Sequence, residues 1–431
     1  MSGRPWTNWS RTARANPVRV ERPADAAEVR ALVRGALERG ERVRPVGNRF
    51  SASGIAAAPE VALDMTGLRG MVRVDPEART ATFLPGTTLG EAMAALEDVD
   101  LAFANPTRNI DVTLGGVVST GGHGWGRGYG TISSQLVEVE LVTGAGERLR
   151  VSERRNGELW PAVRIGLGAL GVLTELTFRV VPAYSAVVTE RLESFRGYLE
   201  SFERTMASAD HVAATWRPHT GRVAISRGTR QEAQATGAVR PGVVAASGAD
   251  FWSSMRIGLA KAFPGAVPTM NRLSNVLHTA TTRRGAPAAA LATRPKVPNA
   301  TLEYALPVGR VASAMLELDE AMARRRLSVP SEVLLTTTAP DDAYLATSYG
   351  RRVGNIAVRM PSSMDPGEYF SVAEEIFIAH EGLPNWSSAH TLRAEEIAYV
   401  LPRFGDFLEV RHRLDPELVF TNGHLRRVLG E

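Results

Sequence analysis

Residues 113–130 read TLGGVVSTGGHGWGRGYG, and the rest of the 431-residue chain is best organised outward from them. Glycine lets a backbone come close to a ligand and adopt positive φ, and successive N–H groups can then converge on a phosphate. Gly115, Gly116, Gly122 and Gly124 crowd here with Thr113, Ser119 and Thr120 around one histidine, His123, next to Val112. Val117 and Val118 interrupt the small polar residues. A solvated turn has no use for two valines, so the segment is expected to be packed and to face a ligand.

Two more stretches share this texture: VGNRFSASG at 46–54 and GLGALG at 166–171. The first and the 113–124 loop, taken together, are able to grip both phosphates of a dinucleotide. The third matches the G-x-G-x-x-G spacing, but that fingerprint needs a strand before it and a helix after it. Here the helix-like ELWPAVRIG precedes and the strand-like VLTELTFRVVPAY follows. A packed turn is expected instead, one that touches a cofactor at most through the backbone of Val172.

Towards the N-terminus, PVRVERP and ERVRPVG read as extended segments around ADAAEVRALVRGALERG, which has helical apolar spacing. Asp25 is placed to cap that helix and Gly40 to end it. Strand-like runs follow (VALDM, MVRVD, TATFLPG), then a helix, TLGEAMAALEDV, and a hairpin, VEVELVTGAGERLRV, with a Gly-Ala-Gly turn. Residues 1–182 form an α+β unit. The stretch 234–300, rich in alanine, proline and glycine, is expected to be partly irregular or a mobile cover. Order returns in 301–380, where TLEYALP, SEVLLTTT and NIAVRM alternate with two helical segments. That pattern predicts an antiparallel sheet flanked by helices.

Composition narrows the function. A 44% hydrophobic, 22% charged chain of this length is an ordinary globular protein of two or three domains. No apolar run reaches the roughly eighteen residues of a membrane span, and MSGRPWTNWS lacks the apolar core of a secretory signal. The absence of cysteine excludes disulfides, thiolate metal sites and a cysteine nucleophile. A cytoplasmic location is expected, with no metal and no membrane partner. Net charge is only +4, Lys261 and Lys296 are the only lysines, and the arginines are scattered among acids rather than striped as in a nucleic-acid binder.

At these residues the chain resembles the vanillyl-alcohol-oxidase, or PCMH-type, FAD flavoproteins, nearest the aldonolactone and alditol oxidases. The resemblance rests on Val46–Ser53, Leu63–Met65, Thr113–Gly116, Gly122–Gly124, Gly168–Val172 and the ending DPELVFTNGHLRRVLG, which contains Asn422. It implies an α+β fold with a two-part FAD-binding domain, 1–182 plus 411–431, and a substrate-covering domain, 183–410. Gly47, Asn48, Arg49, Phe50, Ser51 and Ala52 would cradle the pyrophosphate, with the 112–124 loop beneath the flavin. Phe50 stands where many members carry a histidine bonded to the flavin, so the resemblance implies non-covalent FAD.

The substrate motifs depart from the family pattern. The family's E-V-R is Glu332-Val333-Leu334 here, and its H-W-G-K-x-H is Asn385-Trp386-Ser387-Ser388-Ala389-His390, so an arginine and a lysine are missing. Glu332 and His390 are the catalytic candidates, the first to orient or deprotonate a hydroxyl or to meet a substrate ammonium, the second as a base. Trp125, Tyr304, Arg359, Trp386 and Ser388 are candidates to line the substrate. The expected activity is FAD-dependent oxidation of a polyol, sugar or aminosugar-like alcohol in a bacterial biosynthetic pathway, with O2 or another acceptor reoxidising the flavin. Sugar oxidation within an epimerisation, similar to decaprenylphosphoryl-ribose oxidase, and flavin binding without turnover are the alternatives.

Overall fold

The computed structural model describes residues 5–232, 249–295 and 297–430. Near the N-terminus, Ala26–Glu38 is a helix because Val29, Val33 and Ala36 recur on one face and the Asp25 side chain accepts the Glu28 N–H. The chain leaves that helix through Gly40 at φ 65°. The helix's apolar face packs on a three-stranded parallel sheet, with Val61–Asp64 between Arg19–Glu21 and Val43–Val46. Val419 and Phe420, from the far end of the chain, enter the same core, and the Val43 N–H donates to the Val419 carbonyl at 2.8 Å.

A five-stranded antiparallel sheet follows, in the order Arg148–Val151, Leu136–Val142, Val172–Arg179, Thr80–Phe83, Met71–Asp75. The first two are the hairpin read from sequence. The GLGALG segment lies between the short helix Trp160–Val163 and the strand Val172–Arg179, so helix precedes and strand follows, opposite to a Rossmann turn.

All strands of the third sheet lie within 184–384. It is antiparallel and eight-stranded, ordered Thr281–Gly285, Tyr184–Ser194, Arg222–Glu232, His211–Trp216, Val333–Thr338, Val353–Pro361, Asn299–Pro307, Leu383–Pro384. The helices Val311–Arg324 and Gly367–Ala379 pack against each other, and the second lies on Asn299–Pro307. Alternation along TLEYALP sorts the two faces. Leu302, Tyr304 and Leu306 are buried in the helix-side core, whereas Thr301 and Glu303 face the N-terminal unit.

The described part of 234–300 mixes regular elements with irregular stretches. Ala249–Ala262 and Val267–Val276 are helices, and Thr281–Gly285 is an edge strand. Asn271 fixes the second helix by donating to the Pro218 and Val329 carbonyls, each at 3.0 Å. The rest of the expectation for this stretch, on 234–248, lies outside the described residues.

Candidate active site

The 47–52 and 112–124 loops meet. A β-carbon built on Gly47 would stand 2.1 Å from Thr113 Oγ1, so only glycine allows this approach. Together they wall a cavity of about 340 Å³ that ends on Thr301, Glu303, Leu334 and Arg359 of the eight-stranded sheet. Every nominated residue in 47–52 and 112–124 lines it, as do Arg359 and Ser388.

The two loops offer different chemistry. In the first, Arg49 has φ 63°, and among the described residues the backbone N–H groups of Asn48, Arg49, Phe50 and Ser51 meet no protein acceptor. Such a nest of free donors suits a phosphate anion. Supports hold it from behind. Asn48 Nδ2 donates to the Asp111 carbonyl at 2.7 Å, Asn8 Nδ2 to the Ser51 carbonyl at 2.8 Å, and the Phe50 ring packs on Trp9 at 5.4 Å. In the second loop the N–H groups of Leu114 and Gly115 already donate to the Thr87 and Pro85 carbonyls, both at 2.8 Å. Those two donors are committed to the protein, and the close-packed glycines of this loop form the floor of the cavity. A nest, a glycine floor and a cavity running on to a polar sheet face fit a flavin dinucleotide.

Arg44, which sequence reasoning passed over, ties these parts together. It is buried and donates to the carbonyls of Ile55, Leu167, Gly168 and Phe420, binding the first loop, the GLGALG turn and the C-terminal segment with one guanidinium. The 385–388 turn is fixed similarly. Ala52 and Ser53 donate to the Ser387 carbonyl at 2.6 and 3.1 Å, and Asn385 donates to the Glu303 carbonyl at 2.9 Å.

At the sheet end, His123 Nε2 lies 2.6 Å from Glu303 Oε1, and His123 Nδ1 lies 3.0 Å from the Gly124 carbonyl. A carbonyl only accepts, so Nδ1 carries a proton, and the second proton lies between Nε2 and the carboxylate. Burial opposes charge on His123, but the Glu303 charge and both hydrogen bonds outweigh it and raise its pKa. Burial likewise opposes charge on Glu303, yet His123, Arg359 and Asn385 together lower its pKa. The pair is imidazolium and carboxylate, set in the cavity wall.

Several nominated residues lie elsewhere. Glu332 is outside the cavity, just before the strand Val333–Thr338, and pairs with Arg217 at 2.8 Å. His390 faces a separate depression with Glu374 and sits 3.5 Å from Arg427. Tyr304 points to the helix side, where its hydroxyl donates to Glu374 at 2.5 Å. Trp386 is buried and donates to the Leu345 carbonyl at 2.7 Å, while Trp125 lies in a core cluster beside His211. Val172 is covered, although its neighbours Gly171 and Leu173 reach the cavity. Asn422 braces the first loop from behind, donating to the Gly54, Ile55 and Ala57 carbonyls and capping the helix Gly423–Leu429.

Residues 17–152 match the model of the FAD binding domain, and residues 176–428 match that of D-arabinono-1,4-lactone oxidase. The chain belongs to the D-arabinono-1,4-lactone oxidase family. L-gulono-1,4-lactone dehydrogenase of Mycobacterium tuberculosis is 31% identical over 99% of both chains. L-gulonolactone oxidase of Scyliorhinus torazame is 27% identical over 99% of this chain and 98% of its own. Cholesterol oxidase from B. sterolicum superposes with a TM-score of 0.83 over 99% of this chain and 96% of its own; at 16% identity it shows the shared fold alone. This member of the lactone oxidase family is a PCMH-type FAD flavoprotein and an oxidoreductase.

Proposed function

We propose that this chain oxidises an alcohol carbon of a sugar, polyol or sugar lactone, with FAD held non-covalently. The observation that carries this reading is the His123–Glu303 pair, 2.6 Å apart in the wall of the cavity that both glycine-rich loops build. FAD, when bound, supplies the two-electron acceptor for a hydride leaving the carbon that bears the hydroxyl.

Glu303 accepts the substrate hydroxyl through its free carboxylate oxygen and so orients that carbon. A carboxylate lowered by an imidazolium is a weak base, but little basicity is needed. As hydride leaves, the oxygen becomes that of a protonated carbonyl, which is strongly acidic, and its proton passes to Glu303 late in the step. His123 stays protonated and offsets the carboxylate charge. The 48–51 nest holds the diphosphate, and Phe50, packed on Trp9, offers no atom for a bond to the flavin.

Relatives named for gulonolactone support a lactone or a related polyol as substrate. An aminosugar is disfavoured, because Glu332 is taken by Arg217 and the charges that face the cavity are mostly arginines. The test is spectroscopic. The purified protein is expected to be yellow, to release all its flavin on acid precipitation, and to bleach anaerobically with a member of a panel of sugars, polyols and lactones. Flavin retained in the acid pellet would overturn non-covalent binding. A yellow protein that no member reduces would leave a flavin-binding protein without turnover.

A further inference from the structure

Charge in the cavity is unbalanced. Its described lining includes four arginines, Arg44, Arg49, Arg108 and Arg359, against one carboxylate, Glu303, which His123 already neutralises. Arg44 directs both terminal nitrogens at four backbone carbonyls, and Arg49 belongs to the phosphate nest. Arg108 and Arg359 remain. Neither guanidinium makes an ion pair or hydrogen bond with any described residue.

Both are held in place. Arg359 lies in the strand Val353–Pro361 directly opposite Thr301, and Thr301 also lines the cavity. Arg108 comes from the opposing unit and lies over the Trp125 ring at 5.6 Å, which gives that buried indole a purpose. Nearby carboxylates are already engaged: Glu332 by Arg217 at 2.8 Å, Asp111 by Arg294 at 3.4 Å, and Glu190 by the Ser226 hydroxyl at 2.6 Å with His278 at 3.6 Å. Burial first, then the charges of Arg359 and Arg283, bring Arg108 down to about 10, with Glu190 and Glu332 only partly opposing them.

We propose that the substrate end of the cavity takes an anionic polyol, whose carboxylate or phosphate is clamped between Arg108 and Arg359. Two guanidinium forks from opposite walls match the planar oxygens of a carboxylate or two edges of a phosphate. The hydroxylated carbon chain then extends towards Glu303. FAD's own diphosphate has separate donors in the 48–51 nest and does not need this pair. The inference rests on the cavity being the substrate site proposed above, and it adds a fixed charge to that substrate.

The experiment titrates the holoenzyme calorimetrically with gluconate, glucitol 6-phosphate and glucitol, which share a carbon skeleton and differ in charge. At least one anion is expected to bind about 10- to 100-fold more tightly than glucitol, the span of one or two charge-assisted hydrogen bonds. The preference should shrink as salt is raised, and the better anion identifies the group. R108Q and R359Q are each expected to collapse the ratio of anion to glucitol affinity while flavin content stays intact. Equal affinity for glucitol and both anions overturns the inference, as does a failure of both anions to bind. So does an equal loss for anion and glucitol in both variants, which would assign the arginines to the flavin. Should either variant fail to fold, the salt dependence of the native ratio still decides. Binding is read independently of turnover, so these outcomes are distinct from a flavin that no substrate reduces.

Discussion

Two largely covered histidine sites lie on opposite faces of the strand Asn299–Pro307, one residue step apart, and they differ in protonation: one ring is charged and the others are neutral. On the cavity face His123 meets the Glu303 carboxylate and the Gly124 carbonyl, so both ring nitrogens face acceptors and the ring is held protonated. On the helix face Arg427 directs N–H groups at Nδ1 of His390 and of His424, at 3.5 and 3.3 Å. Those nitrogens act as acceptors, and both rings are held neutral. Burial alone would push all three the same way. The partner decides the outcome: a carboxylate makes a proton-handling pair, an arginine makes a latch.

Removing the carboxylate is the strongest way to break this contrast. Glu303→Gln keeps the shape and an acceptor for His123 but cannot take a proton. On whichever substrate bleaches the flavin, kcat/KM is expected to fall about 10²- to 10⁴-fold, the usual worth of a positioned acid or base, with flavin content unchanged. His390→Asn, on the other face, is expected to leave kcat/KM near the parental value while lowering stability. If the two losses were similar, the division of roles between the faces would be wrong.

A smaller effect sharpens the charge assignment. In the native enzyme kcat/KM should fall at acid pH as Glu303 is protonated, below the ordinary carboxylate value, because its folded pKa is lowered. It should fall again at alkaline pH as His123 loses its proton, above the ordinary histidine value, because its folded pKa is raised. His123→Gln should abolish the alkaline limb. The acid limb should move upward, since burial of Glu303 then acts without an opposing imidazolium. A pH–rate profile of both proteins checks each limb, and an unmoved acid limb would uncouple the pair.

This contrast also shows where sequence reading stops. The glycine loops, the Asp25-capped helix, the 137–151 hairpin and the antiparallel outer sheet are local, because spacing and turn chemistry determine them within a dozen residues. Glu303 was open to the same logic, being an acid in the middle of the apolar strand TLEYALP, opposite in phase to Tyr304. What the pattern does not reveal is which face meets the cofactor unit, since the deciding contact is His123, 180 residues away. Sequence pattern alone points to Tyr304 rather than Glu303, the right strand but the wrong face. Trp125 and Trp386 follow the same rule, because an aromatic at a motif position is as able to fill a core as to wall a site. Glu332 matched a family position, but its place before Val333–Thr338 put it within reach of Arg217, whose approach no local pattern encodes.

The smallest expected effect concerns the latch. Burial, with Arg427 and Arg44, pushes His424 down to about 3. An unfolded histidine takes its proton near 6.5, so as pH falls from there towards 3 the unfolded chain gains a proton that the folded chain refuses. The stabilisation is complete above 6.5 and is lost progressively below it, by up to about 1.4 kcal/mol per pH unit for each such group. His424→Asn removes one of these protons. The variant loses packing and melts lower at pH 7, yet its melting temperature should fall less steeply than the parent's between pH 6.5 and 4. An unchanged slope would mean that His424 is protonated in the folded protein, and the arginine-facing site would then differ from the carboxylate-facing one in geometry but not in charge.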